Sequence, residues 1–196
     1  MSIKRIEVPD FIKALIFDCD GTLVDSMPLH TEAWKFALKN FGAEYNREFF
    51  FSHKGMKEKD IIELYNQQFK TNLRSLDVVK SKHEFFRNHI KELRPIEPIA
   101  ELVYKYNGVL PMAVVSGGTK ENVIDELNVI GLDSYFKVVL TADDSFQPKP
   151  APDLFLEAAN RIDVLPQFCQ VFEDGDLGIQ AALNAGMIAT DVREFY

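Results

Sequence analysis

The feature that most constrains the fold of this chain is a pair of carboxylates directly after a short apolar run. Residues 14–17 (A-L-I-F) are followed by Asp18, Asp20 and Gly21 in the string F-D-C-D-G-T. The run is typical of a strand that is buried on both faces of a parallel sheet. Side chains at i and i+2 of extended backbone point to the same side, so the two carboxylates would lie together. Such like charges indicate a divalent metal or a cation-bound phosphate, although a solvated loop is the simpler alternative.

Strand and helix patterns alternate through the C-terminal half of the chain. Apolar runs at 112–115, 138–140, 169–172 and 188–190 are separated by helical patterns at 121–130, 155–162 and 178–185. This alternation predicts an α/β fold, a Rossmann-like doubly wound parallel sheet with helices on both faces. In such sheets functional groups gather outside the carboxyl ends of the strands.

Polar residues follow several of these runs. Ser116 comes directly after one, Glu173 and Asp174 after another, and Lys149 lies in a loop before a helix. We expect these side chains to converge with the carboxylates after the first run at one edge of the sheet.

The residues after Asp25 follow a different pattern. Apolar residues recur at helical spacing in three stretches, Gly42 is placed as a helix C-cap, and Pro95 and Pro98 close the segment. The sequence therefore predicts an all-helical domain at 27–94, inserted into a core domain that comprises residues 1–26 and 95–196.

Composition limits the compartment and the partners. The chain has 196 residues, a net charge of −8 and a sequence pI of about 5.0, which disfavours nucleic-acid binding. Its two cysteines, Cys19 and Cys169, are far apart and fit a reducing compartment. No apolar stretch resembles a signal peptide or a membrane span. We expect a cytoplasmic monomer without membrane or nucleic-acid partners.

Four motifs, in order, resemble those of the haloacid dehalogenase (HAD) superfamily. They are D-C-D-G-T, V-V-S-G-G, Q-P-K-P-A-P-D and V-F-E-D-G-D-L-G-I-Q-A, and the resemblance covers nearly the whole chain. Within the superfamily the chain is similar to the branch of β-phosphoglucomutase and the bacterial fructose-1-phosphate and 6-phosphogluconate phosphatases. The helical insertion resembles the cap domain of that branch.

The resemblance implies a phosphomonoester hydrolase of small sugar phosphates or sugar acids that forms an aspartyl-phosphate. Asp18 is the implied nucleophile and Asp20 the implied general acid and base. The dehalogenases lack an acid at that second position, so Asp20 favours phosphoryl transfer. Ser116, the amide of Gly117, and Lys149 are the implied phosphate ligands. Taken alone, Ser-Gly-Gly-Thr is also a common helix start, and a loop lysine is usually solvated.

The resemblance also implies a Mg²⁺ site. Asp18, the backbone carbonyl of Asp20, and Asp174 are the implied ligands, since Mg²⁺ takes oxygen ligands and keeps several waters. The sequence leaves open whether Glu173 binds the metal directly or supports those that do.

The predicted cap carries two further candidates and one departure from the mutase. His30 and Lys82 match positions that lie near the substrate or the domain interface of the mutase, although either could be an ordinary surface or interface residue. The mutase has an arginine that binds a second phosphate, and Glu58 occupies that position in the stretch 54–59. Lys57 or Lys59 would not reproduce a bidentate arginine contact. This favours a phosphatase, with β-phosphoglucomutase as the alternative.

Two other classes of protein fit less well. A receiver domain of a signalling protein also surrounds a phosphorylated aspartate with acidic, hydroxyl and lysine side chains. Receivers, however, are shorter, accept phosphate at a middle strand and lack a long helical insertion. A non-enzymatic binding protein would be expected to have lost a key side chain, and all five are present, namely Asp18, Asp20, Ser116, Lys149 and Asp174.

Overall fold

A five-stranded parallel sheet organises the computed structural model, which describes residues 6–53 and 56–196. Its strands are β1 (Ala14–Phe17), β2 (Met112–Val115), β3 (Val138–Leu140), β4 (Cys169–Glu173) and β5 (Ile188–Asp191). They lie in the order β3-β2-β1-β4-β5, and each neighbouring pair is parallel. The direction of strand succession reverses between β1 and β4, which is where open α/β sheets bind their ligands. The doubly wound α/β fold expected from the sequence is confirmed.

Helices lie between these strands along the chain. They are α1 (Met27–Asn40), α2 (Arg47–Ser52), α3 (Glu58–Phe69), α4 (Ser75–His89), α5 (Glu97–Tyr106), α6 (Lys120–Val129), α7 (Asp153–Arg161) and α8 (Asp176–Asn184). Short 3-10 turns lie at Ile90–Glu92, Asp133–Tyr135, Pro166–Phe168 and Val192–Glu194. Within residues 6–53 and 56–196, no helix combines the length and the apolar character that crossing a membrane requires.

The chain divides into two compact units. One comprises the residues up to Asp25 together with Leu93–Tyr196, and the other comprises Ser26–Glu92; the insertion expected from the sequence was 27–94. The chain leaves the first unit after Asp25 and re-enters it at Leu93. These two points lie side by side, because Asp25 N–H donates to the Arg94 carbonyl at 2.9 Å.

The first unit has its core around the sheet. On one face, small and apolar residues of the strands pack against α7 and α8, with Phe155 fully buried among them. Elsewhere in the sheet the rings of Phe17 and Phe172 stack at 4.9 Å. Because Phe17 and Phe172 lie at the carboxyl ends of β1 and β4, the residues that follow these two strands start close together.

The second unit is held together mainly by aromatic side chains. The rings of Trp34 and Phe50 lie 4.9 Å apart, and Phe49 contacts Tyr65 edge-on at 5.5 Å. The sequence did not indicate α2, which contains the phenylalanine run 49–51. It begins where Asn46 accepts a hydrogen bond from the backbone N–H of Phe49, an ordinary N-cap.

Pro95 and Pro98 follow the end of the helical unit at Glu92, and the second of them also begins a helix that the sequence did not indicate. Pro98 lies in the first turn of α5, where its missing N–H costs nothing because that group would have no helical partner. Pro95 lies in an isolated bridge with Val24. A proline pair that ends one helical segment therefore also begins another.

Candidate active site

Asp18 is held directly after β1 by the hydrogen bonds of the sheet. Its backbone N–H donates to the carbonyl of Phe172 at 3.0 Å, and the residue is 6% exposed. Burial raises the pKa of the Asp18 carboxyl, the Lys149 ammonium lowers it and the Asp174 carboxylate raises it, with a net increase. Asp18 is thus a buried carboxylate whose charge depends on a cationic partner.

That partner is Lys149. Its Nζ donates to Asp18 Oδ1 at 2.7 Å and to the Val115 carbonyl at 3.2 Å, and lies 3.6 Å from Glu173 Oε2. Burial opposes the charge of Lys149, but the Asp18 and Glu173 carboxylates outweigh it, so the pKa of Lys149 lies above its ordinary value. The lysine links the ends of β1, β2 and β4 as a fixed positive charge.

Three buried carboxylates form a candidate metal centre beside this lysine. Asp18, Glu173 and Asp174 are 6%, 4% and 7% exposed, and each offers an oxygen within 4.8 Å of the other two. One ammonium does not balance three like charges at this spacing, and hard oxygen donors are the ligands that Mg²⁺ and Ca²⁺ take. The donor set therefore fits a divalent cation.

Two glycines make room for the carboxylates of this centre. A Cβ on Gly21, whose φ is +82°, would lie 2.3 Å from Asp174 Oδ2. A Cβ on Gly178 would lie 1.8 Å from Glu173 Oε1. Any other residue at either position would displace a carboxylate, so both glycines are required by the site and not only by the backbone.

The loop after β2 presents hydroxyl and amide groups at the same edge of the sheet. Ser116 is 1% exposed, and its Oγ accepts a hydrogen bond from the backbone N–H of Gly118 at 3.0 Å. The hydroxyl proton of Ser116 therefore remains available for another acceptor. Thr119 caps α6 by accepting from the backbone N–H of Asn122. Gly117, between these residues, is exposed.

Asp20 lies near this loop, because its Oδ2 is 3.6 Å from the position that a Cβ on Gly118 would occupy. Cys19, fully buried, donates from Sγ to Glu126 Oε2 at 3.5 Å. Burial and then the Glu126 carboxylate raise the pKa of the Cys19 thiol, so it is not a nucleophile. Glu126 is 1% exposed, and a carboxyl oxygen of it lies within 4.8 Å of one of Asp20.

Sequence reasoning missed Glu126, which lies on α6 in a stretch that predicts only an amphipathic helix. Its contact with Cys19 joins residues that are 107 positions apart. The only local sign of its role is that Glu126 lies next to buried positions of the helix.

The two cap candidates lie in the helical unit. The ring of His30 stacks on Phe86, with centroids 4.4 Å apart. Lys82 is 1% exposed, and its Nζ donates to Glu58 Oε1 at 2.6 Å. Glu58 also contacts His83 Nε2. Glu58, which the sequence placed where the mutase has its arginine, thus compensates the charge of Lys82.

In the stretch 54–59, where the mutase has its arginine, Lys54 and Gly55 lie outside the described residues. Of the two lysines weighed as replacements for the arginine, Lys59 forms an ion pair with Glu63 at 3.4 Å and Lys57 is the N-cap residue of α3.

Several known proteins are similar to this chain over most of its length. Residues 15–192 match the family model described as haloacid dehalogenase-like hydrolase. The fructose-1-phosphate phosphatase YqaB of Escherichia coli K12 is 38% identical over 181 residues, 91% of this chain and 95% of that protein. The β-phosphoglucomutase of Bacillus subtilis 168 is 27% identical over 190 residues, 92% and 83% of the two chains. The crystal structure of CbbY from Rhodobacter sphaeroides in complex with phosphate has a TM-score of 0.81 at 25% identity, covering 91% and 84%.

Proposed function

The chain belongs to the haloacid dehalogenase-like hydrolase family, and we propose that it hydrolyses phosphomonoesters of small sugars through an aspartyl-phosphate on Asp18. The observation that carries the proposal is the contact of 2.7 Å between Asp18 Oδ1 and Lys149 Nζ. A carboxylate fixed by an ammonium inside a buried acidic cluster is an ionised nucleophile beside a cation that can also bind a transferring phosphoryl group.

Covalent transfer to Asp18 is the first proposed step. An oxygen of the Asp18 carboxylate attacks phosphorus, and the bond between phosphorus and the sugar oxygen breaks. Asp20 donates a proton to that leaving oxygen, so the sugar departs as an alcohol. Lys149 remains protonated throughout and stabilises the additional negative charge on the phosphoryl oxygens.

Hydrolysis of the acyl phosphate is the second step. Asp20, now ionised, takes a proton from a water molecule whose oxygen attacks phosphorus. The bond between phosphorus and the Asp18 oxygen breaks, inorganic phosphate leaves, and the Asp18 carboxylate is restored. The hydroxyl of Ser116 and the amide of Gly117 are the proposed donors to the phosphoryl oxygens in both steps. The Ser116 hydroxyl suits this role because Gly118 already donates to its oxygen and leaves its proton free to point elsewhere.

A divalent cation, with Mg²⁺ as the proposed ion, fits the same residues. Asp18 and Asp174, with the backbone carbonyl of Asp20, are the proposed ligands, and Glu173 is a further ligand or orients them. When bound, the ion would neutralise charge on the phosphate and hold it in line with the nucleophile. Among the described residues, the cluster of three buried carboxylates is what supports this assignment.

The relatives and the charges of the helical unit support the proposed substrate class. YqaB, a fructose-1-phosphate phosphatase, aligns over nearly the whole of both chains. The helical unit Ser26–Glu92 is the proposed cap domain, with His30 and Lys82 as proposed substrate-binding residues. Because Glu58 already binds Lys82, that lysine is a weak candidate for a second phosphate. This supports a sugar monophosphate as the substrate.

Isomerisation of β-glucose-1-phosphate is the alternative, since the B. subtilis mutase is also a relative. A panel of phosphorylated sugars, scored in one reaction for free phosphate and for isomerised product, separates the two activities. We expect net phosphate release from hexose monophosphates and little glucose-6-phosphate from β-glucose-1-phosphate. Efficient isomerisation with negligible phosphate would replace the phosphatase assignment by the mutase.

A further inference from the structure

The segment that follows β5 contacts both of the loops that carry the acidic residues. Strand β5 pairs with β4 so that Asp191 lies opposite Glu173, the last residue of β4. The chain then forms the 3-10 turn at 192–194, capped where Asp191 accepts from the backbone N–H of Arg193 at 3.0 Å. We call residues 191–196 the strap.

Arg193 fixes the strap to the loop after β4. Its Nη2 donates to Asp176 Oδ1 at 2.8 Å and to Asp191 Oδ2 at 2.6 Å, and its Nε donates to Asp191 Oδ1 at 2.8 Å. Asp176 is the first residue of α8 and lies two positions after Asp174. One guanidinium therefore joins the end of β5 to the loop that carries Asp174.

Tyr196 makes the corresponding contact with the loop after β1. Its hydroxyl donates to the backbone carbonyl of Gly21 at 2.6 Å. Burial of the phenol, followed by the nearby Asp174 and Asp25 carboxylates, raises the pKa of Tyr196 to about 12. The hydroxyl is therefore protonated and remains a donor at neutral pH.

Gly21 is the point where the two acidic loops meet. Its φ of +82° and its missing Cβ let its backbone lie against the Asp174 carboxylate. Its N–H donates to the Val24 carbonyl at 2.8 Å, so the bond from Tyr196 satisfies the other polar group of the same residue. A change in the orientation of Gly21 would change the separation between Asp20 and Asp174.

We propose that Tyr196 is a positioning residue whose hydroxyl holds the loop after β1 against the loop after β4 and so sets the spacing of Asp20 from Asp174. Its effect on catalysis rests on the proposed function, whereas its effect on the loop does not. Tyr196 acts through Gly21, whose backbone carbonyl accepts the hydrogen bond from its hydroxyl.

The test is Tyr196→Phe, which removes one hydroxyl and keeps the ring. Three readouts are measured: amide hydrogen exchange of the peptide 18–25 in metal-free protein, the Kd for Mg²⁺ alone by calorimetry, and kcat and KM for a hexose monophosphate. Loss of one hydrogen bond predicts exchange and Kd each increased about threefold to tenfold. At saturating Mg²⁺ we expect kcat to fall with KM unchanged, because the proposed phosphate ligands Ser116, Gly117 and Lys149 lie outside the loop that Tyr196 contacts.

Two further variants serve as a control and as a test of coupling. Tyr104→Phe, at an exposed tyrosine on α5, should leave every readout unchanged. Arg193→Gln should loosen the strap, so adding Tyr196→Phe to it should change exchange less than Tyr196→Phe does alone.

Unchanged exchange and unchanged Mg²⁺ affinity in Tyr196→Phe would overturn the proposal. So would a lower melting temperature without faster exchange at 18–25, since that describes a general structural role. If the unmodified protein neither binds Mg²⁺ nor releases phosphate, the proposed function fails, and the exchange measurement still decides the role of Tyr196.

Discussion

Replacing Glu58 by glutamine tests how charge is balanced in the helical unit. The Glu58 carboxylate accepts from Lys82 Nζ at 2.6 Å and contacts His83. Lys82 is 1% exposed, and its Nζ lies 5.7 Å from the centroid of the Trp34 ring. The variant keeps the shape of the side chain and removes the anion beside a buried ammonium, which is the costly way to break such a pair.

The loss of unfolding free energy in Glu58→Gln can be worked out in two ways. Removing one partner of a buried ion pair costs roughly 3–5 kcal/mol, and the 30% exposure of the Glu58 side chain reduces that cost. Burial opposes ionisation of Glu58, but the His83 hydrogen bond and the Lys82 charge outweigh it and lower its pKa from 4.5 to about 2. That shift corresponds to roughly 3 kcal/mol at neutral pH before allowance for solvent screening. We therefore expect Glu58→Gln to lose about 2–3 kcal/mol of unfolding free energy at pH 7.

The pH dependence has a definite sign. The pKa of Glu58 is lower in the folded protein than in the unfolded chain, so its contribution is complete above the unfolded value of 4.5 and is lost as the pH falls towards 2. The difference between the unmodified protein and Glu58→Gln should decrease to roughly half near pH 3.

Urea unfolding at pH 7 and at several values down to pH 3 measures this difference. Glu63→Gln is the matched control, because Glu63 lies on the same helix in an exposed pair with Lys59. We expect that control to cost less than about 0.5 kcal/mol. Equal losses for the two variants, or a difference that does not change with pH, would refute the reasoning.

Three further predictions concern the site in the core unit. Chelation should abolish phosphate release and Mg²⁺ should restore it, and full turnover in chelator would contradict the metal assignment. Gly178→Ala should displace Glu173 and weaken Mg²⁺ binding by about tenfold or more, although alanine favours the helix. An unchanged Mg²⁺ affinity by calorimetry would mean that Glu173 is not needed for metal binding. Lys149→Met should lower kcat/KM at least about a hundredfold, since it removes the cation beside Asp18; near-normal kinetics would exclude the proposed role of Lys149.

The fold was predictable because its signals are local. Each strand is a short apolar run between turn residues, and the rule that parallel strands present function at their carboxyl ends places Asp18, Ser116 and Asp174 at one edge. Two helices were missed. The sequence did not indicate α5, because Pro95 and Pro98 were interpreted only as the close of the inserted segment, nor α2, because the phenylalanine run 49–51 has no helical period.

The contacts that fix the site were not predictable from the sequence. Tyr196 binds Gly21 across 175 positions, and Cys19 binds Glu126 across 107. No sequence spacing or motif identifies either pair, because these segments come together only when the sheet packs. Lys82 was singled out from the sequence, yet nothing local indicated that Glu58 would bind it.

Phosphoryl transfer to Asp18 can be tested directly by trapping the intermediate. The variant Asp20→Asn should still be phosphorylated by an aryl phosphate, whose leaving group needs little protonation, but should hydrolyse the acyl phosphate slowly. After acid quenching, peptide mass spectrometry should find one phosphoryl group per chain on Asp18, with a matching burst of phenol. Asp18→Asn should show neither. A burst of phenol without a phosphoryl group on Asp18, or with one on another residue, would contradict the account.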